Sequence, residues 1–460
     1  MGGTLLSSLL IASQALDVDQ GALDVTSNNI ANANTPGYSR EVVNLSENTP
    51  TEVGNLTFGT GVNIEQIQSV RDQVLSLQIA EQTSQQSGAQ TELNALQQIE
   101  TLFSSSTQGI GADLSAFFNS ISQLSTDPTN AALRSAVITA AQNLAVSFNQ
   151  TSQGLTTNQL TLNQSVSQTV DQINTLTQQI AQINAKVGEM QQLNQDPGSL
   201  LDQENQLINQ LSQLTNVSET QTPEGLTLTT GNGTALVVGN QSFALQVGNS
   251  ATTGMQDVFS EGQDITSAIQ GGVLGGTIQV RDQDIPGLLN QLNTLASQFA
   301  TSINTAQAAG FDLNGNPGQA LFSFNAAGPA ASFTLATTNP DAIAASSDGT
   351  LGSNGNLQNL MAVESQTLPS GDTPTNSYAA MVSQSGTLAA QAQAEVTAST
   401  TSINQLNDQL GAISGVSINE ETTNLLNYQN AFSAAARVVS TVDQLTQTLL
   451  SMGSGTTAAS

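Results

Sequence analysis

Four places in the sequence combine residue types and spacing that chemistry could use. GFDLNGNPG (310–318) opens like a calcium loop, with Asp312, Asn314 and Asn316 at alternate positions. Pro317 stands where the sharp-turn glycine belongs and Ser323 where a bidentate glutamate is required, so the stretch reads as a β-turn. GGVLGG (271–276) lacks both the G-x-G-x-x-G spacing and a Walker lysine, which leaves close backbone packing as its use. Glu420 and Glu421 offer paired carboxylates for general acid/base work, but adjacent helical side chains point apart. At the start of a helix they offset the N-terminal dipole instead. The fourth place, TSNNIANANTPGYSR (26–40), holds four asparagines before a Thr-Pro-Gly turn. Asparagine bonds local backbone and tolerates left-handed conformations, and Pro36 and Gly37 force the chain out of a helix. Such a segment suits a shaped, hydrogen-bonding loop rather than catalysis.

Composition removes most other chemistry. The 460 residues include no cysteine, histidine or tryptophan, so thiolate and imidazole ligands, Cys and His nucleophiles or bases, and disulfides are all excluded. No metal, cofactor or catalytic residue is expected. Six cations, Arg40, Arg71, Arg134, Lys186, Arg281 and Arg437, stand against 35 acids for a formal net charge of -29. They are too few and too scattered to neutralise a phosphate backbone or an anionic bilayer, so neither nucleic acid nor membrane is an expected partner. The first residues lack a basic segment ahead of their apolar run, and Asp17 and Asp19 follow closely. That is not a standard signal peptide, and no apolar run approaches the ~18 residues of a membrane span. If the chain leaves the cell, it needs a route that reads no cleavable signal.

The elements that would position the asparagine segment are legible from periodicity. Leu9, Leu16, Leu23 and Ile30 recur every seven residues, with Leu5 and Ala12 in a companion register that Asp19 and Thr26 weaken. At the other end Leu425, Tyr428, Phe432, Ala435, Val439, Val442, Thr446 and Leu449 alternate spacings of three and four. Both ends read as amphipathic helices whose stripes are too narrow to form a core alone, so they are expected to pair with each other and with neighbouring molecules. Without such partners the ends are expected to be disordered, with Phe432 exposed or mobile in the isolated chain and buried in the assembly. Residues 65–215 read as a rod of helices, with Ile173, Ile180 and Val187 interleaving Leu176, Ile183 and Met190 and a turn at QDPGSLLDQ (195–203). From Pro223 the pattern alternates around a Gly-Asn-Gly turn, which predicts hairpins to about residue 280. Helices return through Leu288, Leu292, Leu295, Phe299 and Ile303 and again over 378–410.

The expected fold is therefore mainly α with inserted β. It has terminal coiled-coil helices (1–50 with 405–460), an elongated, mainly helical bundle domain (51–215 with 285–404) and a small β-rich outer domain (216–284).

On these residues a resemblance becomes specific. SNNIANANTPGYSR resembles the N-terminal signature of the bacterial flagellar rod, hook and hook-associated axial proteins. GTGVNIEQIQSVRD (59–72), the segment 271–318 and GVSINEETTNLLNYQNAFSAAARVVSTVDQLTQTLLSMG (415–453) are similar to the hook-associated family that forms the first hook–filament junction. The resemblance implies a non-enzymatic, exported structural subunit, delivered to the outside by the flagellar type III apparatus. It further implies terminal helices that pair and stack in a ring-like axial assembly. The implied partners are further copies, the hook protein, a second junction protein on the filament side and an export chaperone. Carried over, Asn28, Asn29, Ile30, Ala31, Asn32, Asn34, Thr35, Pro36, Gly37 and Tyr38 fall on the axial motif. Asn419, Glu420, Glu421, Leu425, Tyr428, Gln429 and Phe432 fall on its C-terminal counterpart. Leu9, Leu16 and Leu23 of the first seam and Ala435, Val439 and Val442 of the second complete the expected subunit interface. Two departures stand out: the chain is shorter than many members, and GSGTTAAS extends past the usual end of the terminal helix. A distal-rod or hook protein would share the motif but is expected to carry a mostly β body. A secreted coiled-coil adhesin explains heptads and acidity but not the asparagines, and a fused wall-cutting enzyme needs a carboxylate pair that no inserted segment supplies.

Overall fold

Both heptad-spaced ends are helices, and they lie against each other: α1 (Gly2–Asn32) packs along α10 (Ile418–Ser454). The computed structural model describes residues 2–53, 56–103, 109–193, 195–222, 225–251 and 253–454. Pro223, where the alternating pattern is expected to start, and residues 455–460 of the tail lie outside them. After α1 the chain forms β1 (Glu41–Glu47), β2 (Thr51–Val53), β3 (Leu56–Phe58) and β4 (Val62–Ser69). β1 pairs antiparallel with β4, with a register shift between Asn44 and Leu45, and both strands pack on α1. Gly21 makes room for this ribbon, since a Cβ there would sit 2.5 Å from Ile64 Cδ1.

The body is helical, in α2 (Gln73–Phe103), α3 (Ile110–Leu124), α4 (Ala131–Gln192) and α5 (Gly198–Leu214). Residues 195–197 lie between α4 and α5, and the rest of the segment expected as a turn, 198–203, is already helix. Asn130 caps α4 by accepting from Ala132 and Leu133 N–H at 3.0 and 3.2 Å. At 1.5 Å per residue its 62 residues extend about 93 Å, and this one helix serves two cores. The first is built on rings: Phe117 meets Phe299 at 5.9 Å, and Phe333 meets Phe148 and Phe322 at 4.9 Å each. The second buries Val166, Val170, Ile173 and Ile180 of α4 against Ile208, Leu211, Leu228 and Val237.

That second core is capped by short strands. β5 (Val217–Thr222), β6 (Gly225–Thr230), β7 (Ala235–Val238) and β8 (Gln241–Ser242) form one sheet in that order, turning at the Gly-Asn-Gly stretch. β9 (Gln246–Asn249), β10 (Gln256–Ser260) and β11 (Gln263–Asp264) form another. The chain is helical again from residue 272, inside the range assigned to the β unit: α6 (Gly272–Gln279) runs through a π-turn at Val280–Asp284 into α7 (Ile285–Ala308). α6 crosses α2 where a Cβ on Gly276 would run into Gly88 O, so GGVLGG does serve close backbone approach. GFDLNGNPG is a turn in which Asp312 Oδ1 accepts from Asn314 and Asn316 N–H, both at 2.8 Å. After β12 (Phe322–Ser323) and β13 (Thr334–Leu335), α8 (Gly355–Ser365) leads to α9 (Pro374–Ser414), which runs along α2 back to α10.

Candidate functional site at the paired termini

Leu9, Leu16, Leu23 and Ile30 are half-buried on α1, and Ala12, Val18, Ala22 and Val25 are buried beside them. On α10 Leu425, Tyr428, Phe432, Ala435 and Val439 are half-buried and Val442 is buried. Phe432 is thus half-buried within the single chain, and both ends are helical in it, where disordered ends were expected. The reason is that each narrow stripe finds the other: two marginal helices become one packed pair.

A single asparagine clasps the start of this pair. Asn29 is 1% exposed, and its side chain makes four hydrogen bonds. Its Nδ2 donates to Glu41 O at 2.8 Å and to Glu421 Oε2 at 3.3 Å. Its Oδ1 accepts from Tyr38 Oη at 2.8 Å and from Glu41 N at 2.9 Å. Asn29 thereby joins α1, the loop after it, β1 and the first turn of α10. Burial, reinforced by the carboxylates of Glu41, Asp202 and Glu421, pushes the Tyr38 hydroxyl above its ordinary range, which keeps it a donor. Glu420 reaches Arg40 at 3.7 Å from an exposed position, a pair worth little alone. The acidic couple therefore both begins a helix and fastens it.

The other motif residues divide by exposure. Asn28, Ala31, Asn34, Thr35, Pro36, Gly37, Asn419, Glu420 and Gln429 are exposed, while Asn32 is half-buried. Asn32 Nδ2 donates to Asn28 O and Oδ1 at 3.1 and 2.8 Å, and Thr35 Oγ1 donates to Asn32 Oδ1 at 3.2 Å. No asparagine of the segment is left-handed; that conformation falls to Gly37 at φ 79°, where Gln206 packs close. The asparagines act through side chains on the last turns of α1 rather than through backbone conformation.

Sequence reading missed what holds the pair to the body. Asp202 of α5 accepts from Ser39 N and Oγ at 3.1 and 2.8 Å and from Arg71 Nη2 at 2.7 Å. Arg71 Nη2 also donates to Gly198 O, and Gln206 Nε2 donates to Pro36 O at 2.7 Å. Arg40 N donates to Ser414 O at 2.9 Å and Val70 N to Arg40 O at 2.8 Å, so all three chain crossings are tied at one level. The available signal was scarcity: with six cations in the chain, an arginine beside the motif is worth treating as a fixed contact.

Comparison with known proteins agrees with this architecture. The flagella basal body rod protein profile matches residues 9–38, and the flagellar basal body rod FlgEFG protein C-terminal profile matches 411–452. The profile of the flagellar hook-associated protein FlgK helical domain matches residues 96–322 between them. This chain belongs to the FlgK family of flagellar hook-associated proteins. Flagellar hook-associated protein 1 of Bacillus subtilis is 28% identical over 96% of this chain and 98% of its own length. Its counterparts in Escherichia coli and Salmonella typhimurium are 31% and 30% identical, and in both the match takes in 69% of this chain and 60% of the relative. The fold resembles the structure of the flagellar hook junction protein FlgK from Burkholderia pseudomallei, with a TM-score of 0.66 at 19% identity over 74% of this chain and all of that one. The FlgK family is one of flagellar structural proteins.

Proposed function

We propose that this chain is a structural subunit joining hook to filament in the bacterial flagellum. It works outside the cell, is delivered by the flagellar type III apparatus with an export chaperone, and assembles through its terminal helices. The observation that carries the reading is apolar surface that the pairing of the two helices leaves uncovered. Leu6 and Leu10 on α1 are 59% and 56% exposed, and Ile418, Leu426, Leu445 and Leu449 on α10 are about half exposed, although each helix already has a partner. Uncovered apolar side chains gathered on one helix pair mark a protein-contact surface, and family membership names the assembly. In this reading the contacts to further copies, to the hook protein and to the second junction protein use the outward leucines together with the exposed motif residues Asn28, Asn34, Thr35 and Gln429. Asn29, Tyr38, Glu421 and the half-buried seam from Leu425 to Val442 support that surface from within. No catalytic step, nucleic acid or membrane insertion enters the reading.

Deleting the encoding gene from a flagellated host is expected to leave hooks without filaments and to release filament subunits into the medium. Normal filaments in that strain would refute the role. Complementation with Leu426→Asp tests the surface itself: hooks stay bare although the variant is exported and folded.

A further inference from the structure

Away from the termini, a cavity of about 360 Å³ lies between α4, α5 and the β5–β6 hairpin. Val187, Leu201 and Leu226 give it apolar walls, and Gln191, Gln221 and Glu204 line it with polar groups. Glu204 is 5% exposed, and its Oε1 is buried without a hydrogen-bond partner among the described residues. A buried carboxylate ordinarily has a cation or several donors. Burial, then the nearby carboxylate of Glu219, raises Glu204 to about 7, while Arg71 opposes the shift. Arg71 is already committed to Asp202 at 2.7 Å. Glu204 is therefore an acid that no protein group neutralises among the described residues, placed on a cavity wall.

We propose that this cavity binds a small primary alkylammonium group, with Glu204 as its counter-ion. One carboxylate matches one positive charge, and the side-chain carbonyls of Gln191 and Gln221 are acceptors for the remaining N–H bonds. The walls from Val187, Leu201 and Leu226 suit a short alkyl stem. A divalent metal fits poorly, because a hard cation needs several oxygen ligands and Glu204 is the one carboxylate among the described residues of the lining. The volume sits at the small end of ligand pockets, in keeping with a single amine or the end of a lysine side chain. Binding requires ionised Glu204, so occupancy releases the proton held there near neutrality.

The test titrates n-butylammonium into the full chain at pH 8 and pH 5 by calorimetry, with the Glu204 carboxyl carbon of the parent followed by NMR. Saturable binding is expected at pH 8, about tenfold or more weaker at pH 5, and about tenfold or more weaker in Glu204→Gln. Glutamine mimics the neutral acid, so at pH 5, where the parent carries that proton, the variant should fold and melt like the parent. Tetramethylammonium, which has no N–H, and n-butanol, which has no charge, should bind far more weakly. A lysine-bearing peptide distinguishes the two sources: its preference over butylammonium assigns the site to a protein partner, and the reverse assigns it to a free amine. Equal affinity in Glu204→Gln, equal binding of butanol, or no saturation at either pH overturns the proposal.

Discussion

Replacing Asn29 with alanine should loosen the terminal pair while leaving the body intact. The substitution removes four hydrogen bonds and strands Glu41 N–H, Glu41 C=O, the Tyr38 hydroxyl and the Glu421 carboxylate. A neutral bond contributes about 1 kcal/mol net and one to a charged group about 1.5–3, while the half-buried Tyr38 recovers part of its share from water. The expected cost is about 3 kcal/mol for opening α10 from α1, which corresponds to a loss of about 100-fold in amide protection. Hydrogen exchange followed by mass spectrometry reads this directly. Peptides from 418–442 should exchange faster in the variant, whereas peptides from α4 and α7, whose cores do not include the termini, should be unchanged. Tyr38→Phe should cost about 1 kcal/mol, and the double variant should cost less than the sum because the two share a bond. Unchanged exchange over 418–442 would refute the clasp, and equal acceleration across α4 would refute the separation of termini from body.

Three further outcomes follow from the packing. Phe432→Asp should destabilise the α1–α10 pair by a few kcal/mol, seen as an early helical melt, whereas Leu426→Asp, 54% exposed, should melt within about 0.5 kcal/mol of the parent. Burial, with Asp284 and Glu395 nearby, raises Glu92 to about 7, as burial does for Glu204. A raised carboxyl contributes fully below its unfolded value and loses that contribution as pH climbs through the folded one. Urea midpoints should therefore fall between pH 5 and pH 8, and Glu92→Gln with Glu204→Gln should flatten a slope of order 1 kcal/mol per pH unit, allowing for solvent screening. Gly276→Ala should cost about 1–3 kcal/mol in thermal unfolding, because its Cβ would meet the Gly88 backbone, which cannot swing aside.

Much of this fold was legible wherever the apolar pattern had a clear period. The heptads of α1, α10 and the far half of α4 gave helices, and the alternation after residue 225 gave the hairpins of the second core. The ribbon β1–β4 escaped because EVVNLSE carries both polar and apolar groups on each face, with Val42 and Leu45 left exposed. The clasp was half legible. The asparagines announced a polar site, but their local backbone chemistry suggested a left-handed loop, whereas the groups that hold Asn29 include a carboxylate 392 residues further on. No local rule connects such positions. The weld through Asp202 was hidden for the same reason, since α5 looks like any amphipathic helix until Ser39 and Arg71 arrive beside it.

The distance along the chain between the two halves of the clasp also sets an order in time. Asn29 and Glu421 close a loop of 392 residues, so α1 stays without its partner until α10 has been made. The body has no such wait, because its cores close among residues 93–392. A chain interrupted before residue 418 would thus carry a folded body and an unmated α1. It could not close the pair whose outward side chains we assign to assembly, so the presence of α10 becomes the condition for pairing.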